Sequence, residues 1–176
     1  PEVAYILNDS NAQILFVGED FFGLVNKILK DVPSIKKVIC MSGSHSNWPS
    51  YIDWRDSQKD SICERESKLT DIAIQMYTSG TTGPPKGAMI SQQNMMYMMK
   101  NLQSVYGIYP EDEQLGFLPL AHIAGRMFYT FAAIEACSTI NLIEEPETAV
   151  RDQQEIAPTI HFAVPRVWEK QYSLVT

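Results

Sequence analysis

Cysteine is scarce in this sequence. Cys40, Cys63 and Cys137 are odd in number and far apart, so they close no disulfide framework, and no Cys-x-x-Cys pair offers a thiolate zinc site. A reducing, cytoplasmic setting is the simpler expectation. Basic charge is also in deficit: 14 Lys and Arg stand against 21 Asp and Glu, a formal charge of −7. Nucleic acid and anionic lipid both select a basic footprint, so neither is expected as a general partner. Long apolar runs are missing too. The best stretch, Phe128 to Ile134, ends at Glu135, well short of the roughly 18 residues of a membrane span. The remainder, 45% apolar and 20% charged over 176 residues, has the composition of a folded globular domain. The chain opens without Met and shows no leader, and we expect it to be a fragment.

Short β-branched runs alternate with helical stripes. Residues 14–17, 37–41, 72–77, 88–90, 115–118, 139–143 and 159–163 read as strands. Between them, Phe22, Val25, Ile28 and Leu29 mark a helix over 19–32. Met95, Met98, Met99, Leu102 and Val105 mark another behind Ser91, a plausible N-cap. That methionine stripe reads as a core face, not a metal or cofactor box. Further helices are expected over about 123–136, from Pro146 to about 156, and from Pro165 onward. Residues 42–70 lose periodicity and read as a long surface excursion with one helical turn after Pro49. Such alternation predicts an α/β fold, a mainly parallel sheet with helices on both faces, and no second domain.

The segment Tyr77-Thr78-Ser79-Gly80-Thr81-Thr82-Gly83-Pro84-Pro85-Lys86-Gly87 leaves a predicted strand, where open α/β sheets form their ligand crevices. Four hydroxyls, two glycines and one lysine fall within residues 78–86. Glycines let backbone N–H groups approach a ligand, hydroxyls add compact donors, and the ammonium supplies a movable charge. That combination grips phosphate oxygens. A solvated hairpin or linker is the bland alternative. Other phosphate loops fail on spacing: Lys86 follows Pro85 and precedes Gly87, unlike the Gly-Lys-Ser/Thr of a P-loop, and Gly-x-Gly-x-x-Gly does not occur. A nucleophile elbow needs Gly where Tyr77 stands.

The string from Tyr77 to Gly87 resembles the signature of the adenylate-forming superfamily: acyl-CoA synthetases, peptide-synthetase adenylation domains and luciferases. Leu118-Pro119-Leu120-Ala121-His122-Ile123 resembles its second core motif as written in long-chain acyl-CoA synthetases. Residues 158–170, with Pro165-Arg166-Val167-Trp168-Glu169-Lys170, resemble a stretch of the bubblegum-type and related bacterial enzymes. With the opening Pro1 to Ser10, the likeness covers essentially the whole chain. Two departures stand out: Gln75 replaces an apolar residue before the loop, and Cys137 stands where relatives place Gly in a turn.

The resemblance implies a ligase that joins a long-chain fatty acid to coenzyme A through an acyl-adenylate, using ATP and Mg2+. It places Thr78, Ser79, Gly80, Thr81, Thr82, Gly83 and Lys86 on the β- and γ-phosphates. His122 falls near the α-phosphate and the mouth of the acyl pocket, where it could donate a hydrogen bond; a histidine capping its own helix is the alternative. His45 and His161 are read as structural, Trp168 as core or the edge of the acyl tunnel, and Arg166 as paired with Glu169 or another acid. Glu144, Glu145 and Glu147 are assigned to the dipole of a helix starting there, not to a metal. The family's Tyr-Gly-x-Thr-Glu segment, ribose Asp and C-terminal Lys do not occur in this chain. The chain is therefore expected to be inactive alone. A catalytically silent binding protein and a ligase for another acid stay open, as does peripheral membrane association.

Overall fold

Apolar runs of four to seven residues do fold as strands here, and the striped segments between them as helices. The computed structural model describes residues 2–62, 64, 66–78, 83–145 and 147–175. They form two compact units, Pro1–Lys68 with Ile74–Met89, and Leu69–Ala73 with Ile90–Thr176.

In the first unit, α1 (Glu2–Asp9) precedes β1 (Ile14–Val17), α2 (Phe22–Ile28), β2 (Lys37–Cys40) and α3 (Tyr51–Asp56). The helix expected over 19–32 is α2 with a tighter 3-10 turn at each end. β1 and β2 run parallel, with Ile14 opposite Lys37 and Val17 opposite Cys40. Val38, Ile39 and Cys40 are all buried, so β2 is covered on both faces. β1 is not: Ile14 and Phe16 remain 46% and 45% exposed. The excursion over 42–70 is only partly surface, because Trp48 joins Val17, Val25, Val38 and Cys40 in the core. His45 stacks on Trp48 at 3.7 Å, and Phe22 meets that indole edge-on at 5.4 Å. Aromatic area outweighs the polar flanks there. The turn after Pro49 is α3, capped by Ser50 Oγ accepting from the Asp53 N–H.

β3 (Ile72–Thr78) pairs with β4 (Lys86–Ser91), and both pass from one unit to the other. In the second unit follow α4 (Gln92–Tyr106), β5 (Glu113–Gly116), α5 (Ile123–Arg126), α6 (Ala133–Ala136), β6 (Thr139–Leu142), α7 (Ala149–Ile156) and α8 (Pro165–Val175). Ser91 caps α4 in a reciprocal box with Asn94. Met95, Met99 and Leu102 are buried as expected, but Met98 and Val105 are 46% and 73% exposed. The core stripe is one i, i+4, i+7 row, and those two residues lie beside it.

β5 and β6 are parallel, Glu113 opposite Thr139. β5 begins two residues before the expected strand and ends before Phe117. The strand expected over 159–163 is reduced to one parallel bridge, Ile160 to Gln114. Thr159 explains this: its hydroxyl accepts from the Glu113 N–H at 3.0 Å, where a backbone carbonyl would have continued the ladder. Residues 123–136 are helical throughout, with a wide π turn over Met127–Ala132 joining α5 to α6. α7 starts at Ala149, so Glu144, Glu145 and Glu147 precede it. The acid in its first turn is Asp152, which accepts from Thr148 Oγ1 at 2.6 Å. No described helix is long and apolar enough to cross a membrane.

Candidate active site

β3 delivers Thr78 at its end, and β4 starts at Lys86. Thr78, Gly83 and Lys86 are exposed and lie in the first unit. Gly83 has φ +101°, a backbone conformation that L side chains rarely adopt, and nothing within 4 Å of where a Cβ would sit. Lys86 makes no ion pair among the described residues. Ser79, Gly80, Thr81 and Thr82 lie outside the described residues. An exposed hydroxyl, an open glycine and an unpaired ammonium fit a polyanion such as a triphosphate tail.

The entry to this loop is tied down. The Tyr77 hydroxyl donates to Asp9 Oδ2 at 2.6 Å and accepts from Gln75 Nε2 at 3.1 Å. Desolvation, followed by the Asp9 carboxylate, pushes the Tyr77 phenol up to about 12. Gln75 is thus the partner of a phenol and does not weaken the strand by lying unpaired.

His122 belongs to the second unit. It is the N-cap of α5, its Nδ1 accepting from the Ala124 N–H at 3.1 Å. The capping alternative is therefore real, yet it leaves the second ring nitrogen over. A neutral ring whose Nδ1 accepts must carry its proton on Nε2, as a donor. The segment around it is tied by hydrogen bonds: Arg126 Nε donates to the Leu120 carbonyl at 2.9 Å, and the His122 N–H donates to that of Pro119 at 2.9 Å. A Cβ on Gly125 would lie 2.6 Å from the Pro119 carbonyl oxygen, so only glycine lets α5 sit this close.

The sequence reading treats His161 as structural and does not give its surroundings. Its two ring nitrogens are buried without hydrogen-bond partners among the described residues, and burial lowers its pKa. The ring lies between Phe117, stacked at 5.6 Å, and Trp168, edge-on at 5.0 Å. With Leu115, Phe117, Val150, Val167 and Arg166 it lines a cavity of about 280 Å³. Nothing in Thr-Ile-His-Phe-Ala signals this, because an alternating run hides which face is covered. Trp168 is 47% exposed and does not belong to the core; its Nε1–H reaches the Ala163 carbonyl at 3.2 Å. Arg166 has no ion-pair partner among the described residues.

The family profile described as "AMP-binding enzyme" matches residues 1–173. The chain belongs to the AMP-binding enzyme family. Its relatives include the long-chain-fatty-acid–CoA ligase FadD15 of Mycobacterium tuberculosis, 30% identical over 98% of this chain and 30% of that protein. Another is the long-chain-fatty-acid–CoA ligase ACSBG2 of Rattus norvegicus, 27% identical over 97% of this chain and 28% of its own length. This AMP-binding chain therefore spans about 30% of such relatives. Among solved structures, the anthranilate CoA ligase AuaEII in complex with anthranoyl-AMP superposes with a TM-score of 0.83 at 23% identity. That match covers 93% of this chain and 33% of the other. The α/β fold with its parallel strand pairs is thus that of an adenylate-forming enzyme.

Proposed function

We propose that the protein activates a long-chain fatty acid with ATP and passes the acyl group to coenzyme A. The observation that carries this is the donor set at the end of β3 and the start of β4: the exposed Thr78 hydroxyl, the left-handed Gly83 and Lys86, which has no ion-pair partner among the described residues. In the first step a carboxylate oxygen attacks the α-phosphorus, the acyl-adenylate forms, and pyrophosphate leaves. In the second, the thiol of coenzyme A attacks the acyl carbon and AMP leaves. Negative charge grows on the departing pyrophosphate, so donors placed there favour the transition state over the ground state. Lys86 and the loop hydroxyls act on that charge. His122, its Nδ1 occupied by the cap, offers Nε2–H to the carboxylate or adenylate oxygen. Mg2+, when bound, would offset the charge of the polyphosphate; the Lys86 ammonium has no lone pair to ligate it, whereas the Thr78 hydroxyl is an oxygen donor of the class it takes.

Long-chain specificity is supported by the relatives and by the Pro165 to Lys170 stretch, not by the fold, which an anthranilate ligase shares. We read both units as parts of one large adenylation domain, and the localisation as cytoplasmic or peripheral on an internal membrane. The test is the complete protein carrying Lys86→Ala with Thr81→Ala, assayed by ATP–pyrophosphate exchange with acids of graded length. Loss of one such donor typically costs about 3 kcal/mol in activation energy, so exchange should fall by at least about a hundredfold. Unchanged exchange would sink the reading. Retained ATP binding without exchange in the unsubstituted protein would favour a silent binder instead.

A further inference from the structure

The acid at the end of α1 is in an unfavourable place for a helix. Asp9 is its last residue, where the macrodipole is negative, and no basic residue occupies that last turn. Its carboxylate is instead spent on Tyr77, 68 positions away in sequence, through a 2.6 Å hydrogen bond. Tyr77 is the residue before Thr78, where β3 ends. Gln75, two residues earlier on the same strand, donates to the same hydroxyl. On the other strand, a Cβ at Gly87 would lie 2.9 Å from Tyr77 Cζ and 3.0 Å from its Oη, and would also strike Gln75 Nε2. The backbone that leaves the loop therefore passes directly over the phenol anchored by Asp9. One polar knot holds both shoulders of the loop, and it belongs wholly to the first unit.

We propose that Asp9 is a positioning residue for ATP, acting through Tyr77 to fix the spacing of Thr78 and Lys86. This rests on the reading of the Tyr77–Gly87 loop as the phosphate grip. The geometry favours function over simple stability. The contact joins a helix terminus to the one strand end that feeds the loop, and Gly87 is kept bare to make room for it. The phenol, raised to about 12, stays protonated and donating at neutral pH. A charge-assisted bond of this length is among the stronger ones available to a side chain.

The experiment uses the complete protein with Asp9→Ala, Asp9→Asn, Tyr77→Phe and Lys86→Ala, each assayed for KM of ATP, of the fatty acid and of coenzyme A. Asp9→Ala and Tyr77→Phe should each raise the KM for ATP about five- to tenfold, a part of the worth of one hydrogen bond to a charged group, and leave the other two within about twofold. Asp9→Asn, whose amide oxygen still accepts from the phenol, should recover most of the loss. The double variant Asp9→Ala/Tyr77→Phe should be no worse than the poorer single. Should Asp9→Ala fail to fold, Tyr77→Phe, which removes a single oxygen, decides alone. An unchanged KM for ATP in Tyr77→Phe overturns the proposal, as does a parallel rise in all three constants. Lys86→Ala separates the two readings. If it leaves ATP handling intact, the phosphate grip itself is wrong; if it impairs ATP while Tyr77→Phe does not, only the role of Asp9 falls.

Discussion

Cys137 closes α6 with φ +55°, in the left-handed region that glycine occupies without strain. The resemblance to the adenylate-forming superfamily marked this position in advance, since it implies Gly there. Ala157, which ends α7 at φ +48°, has the same geometry and gave no such warning: alanine is an ordinary helix residue until the turn beyond it is known. Cys137→Gly and Ala157→Gly should each raise stability by about 0.5–1 kcal/mol, read as a higher denaturation midpoint with an unchanged slope. A fall in either midpoint would show that the left-handed strain is already relieved by neighbours. His122 separates its two roles in the same way. His122→Ala removes the cap and should cost about 1 kcal/mol of stability, whereas His122→Ser keeps a capping oxygen and should restore it. In the complete enzyme both should lose adenylation rate, since neither offers the Nε2–H donor. A fully active His122→Ser would reduce the histidine to a cap.

At the level of elements, periodicity located most strands and helices, and pairing decided their ends. β5 slips toward Glu113 because Asp112, Thr159 and Asn141 draw its first residues into a polar lattice. Thr159 Oγ1 donates to Asp112 Oδ1 at 2.7 Å, and Asn141 Nδ2 donates to Glu113 Oε2 at 3.1 Å. Such partners come from residues 28 to 47 positions away, and no window of the sequence contains them. The capping box was legible as Ser91, because Ncap chemistry is local. Ser91→Ala should therefore cost about 1 kcal/mol, with Asn94→Ala costing less, by thermal denaturation. Gly125 was not legible. Inside an apolar helix it looks like a weak point, yet the Leu118 and Pro119 carbonyl oxygens lie 2.9 and 2.6 Å from a Cβ built there. Gly125→Ala should destabilise by about 1–3 kcal/mol even though alanine is the better helix former. A stabilised Gly125→Ala would mean that α5 can lift away from that turn.

For the molecule as a whole, composition constrained what could be excluded and the loop signature what could be proposed, while the buried chemistry of the second unit stayed out of view. That chemistry sets its response to acid. Burial disfavours the charged form of His161 and lowers its pKa below the ordinary 6.5. The unfolded chain therefore takes up a proton first, and stability falls as pH drops below about 6.5 until the folded ring also titrates. Asp112 acts lower down. The Thr159 hydroxyl and the Tyr109 N–H hold its carboxyl below the ordinary 3.8, so its contribution is complete above that value and disappears as pH falls through the folded pKa. Two acid limbs should thus be separable by substitution. His161→Phe should flatten the dependence of the denaturation midpoint on pH just below about 6.5 and leave the lower limb intact. Asp112→Asn should do the reverse, since the amide still accepts from Thr159 but no longer titrates. A slope just below pH 6.5 that survives His161→Phe would assign it to another group, and the His161 nitrogens, without hydrogen-bond partners among the described residues, would then have to be reached by solvent in the folded protein.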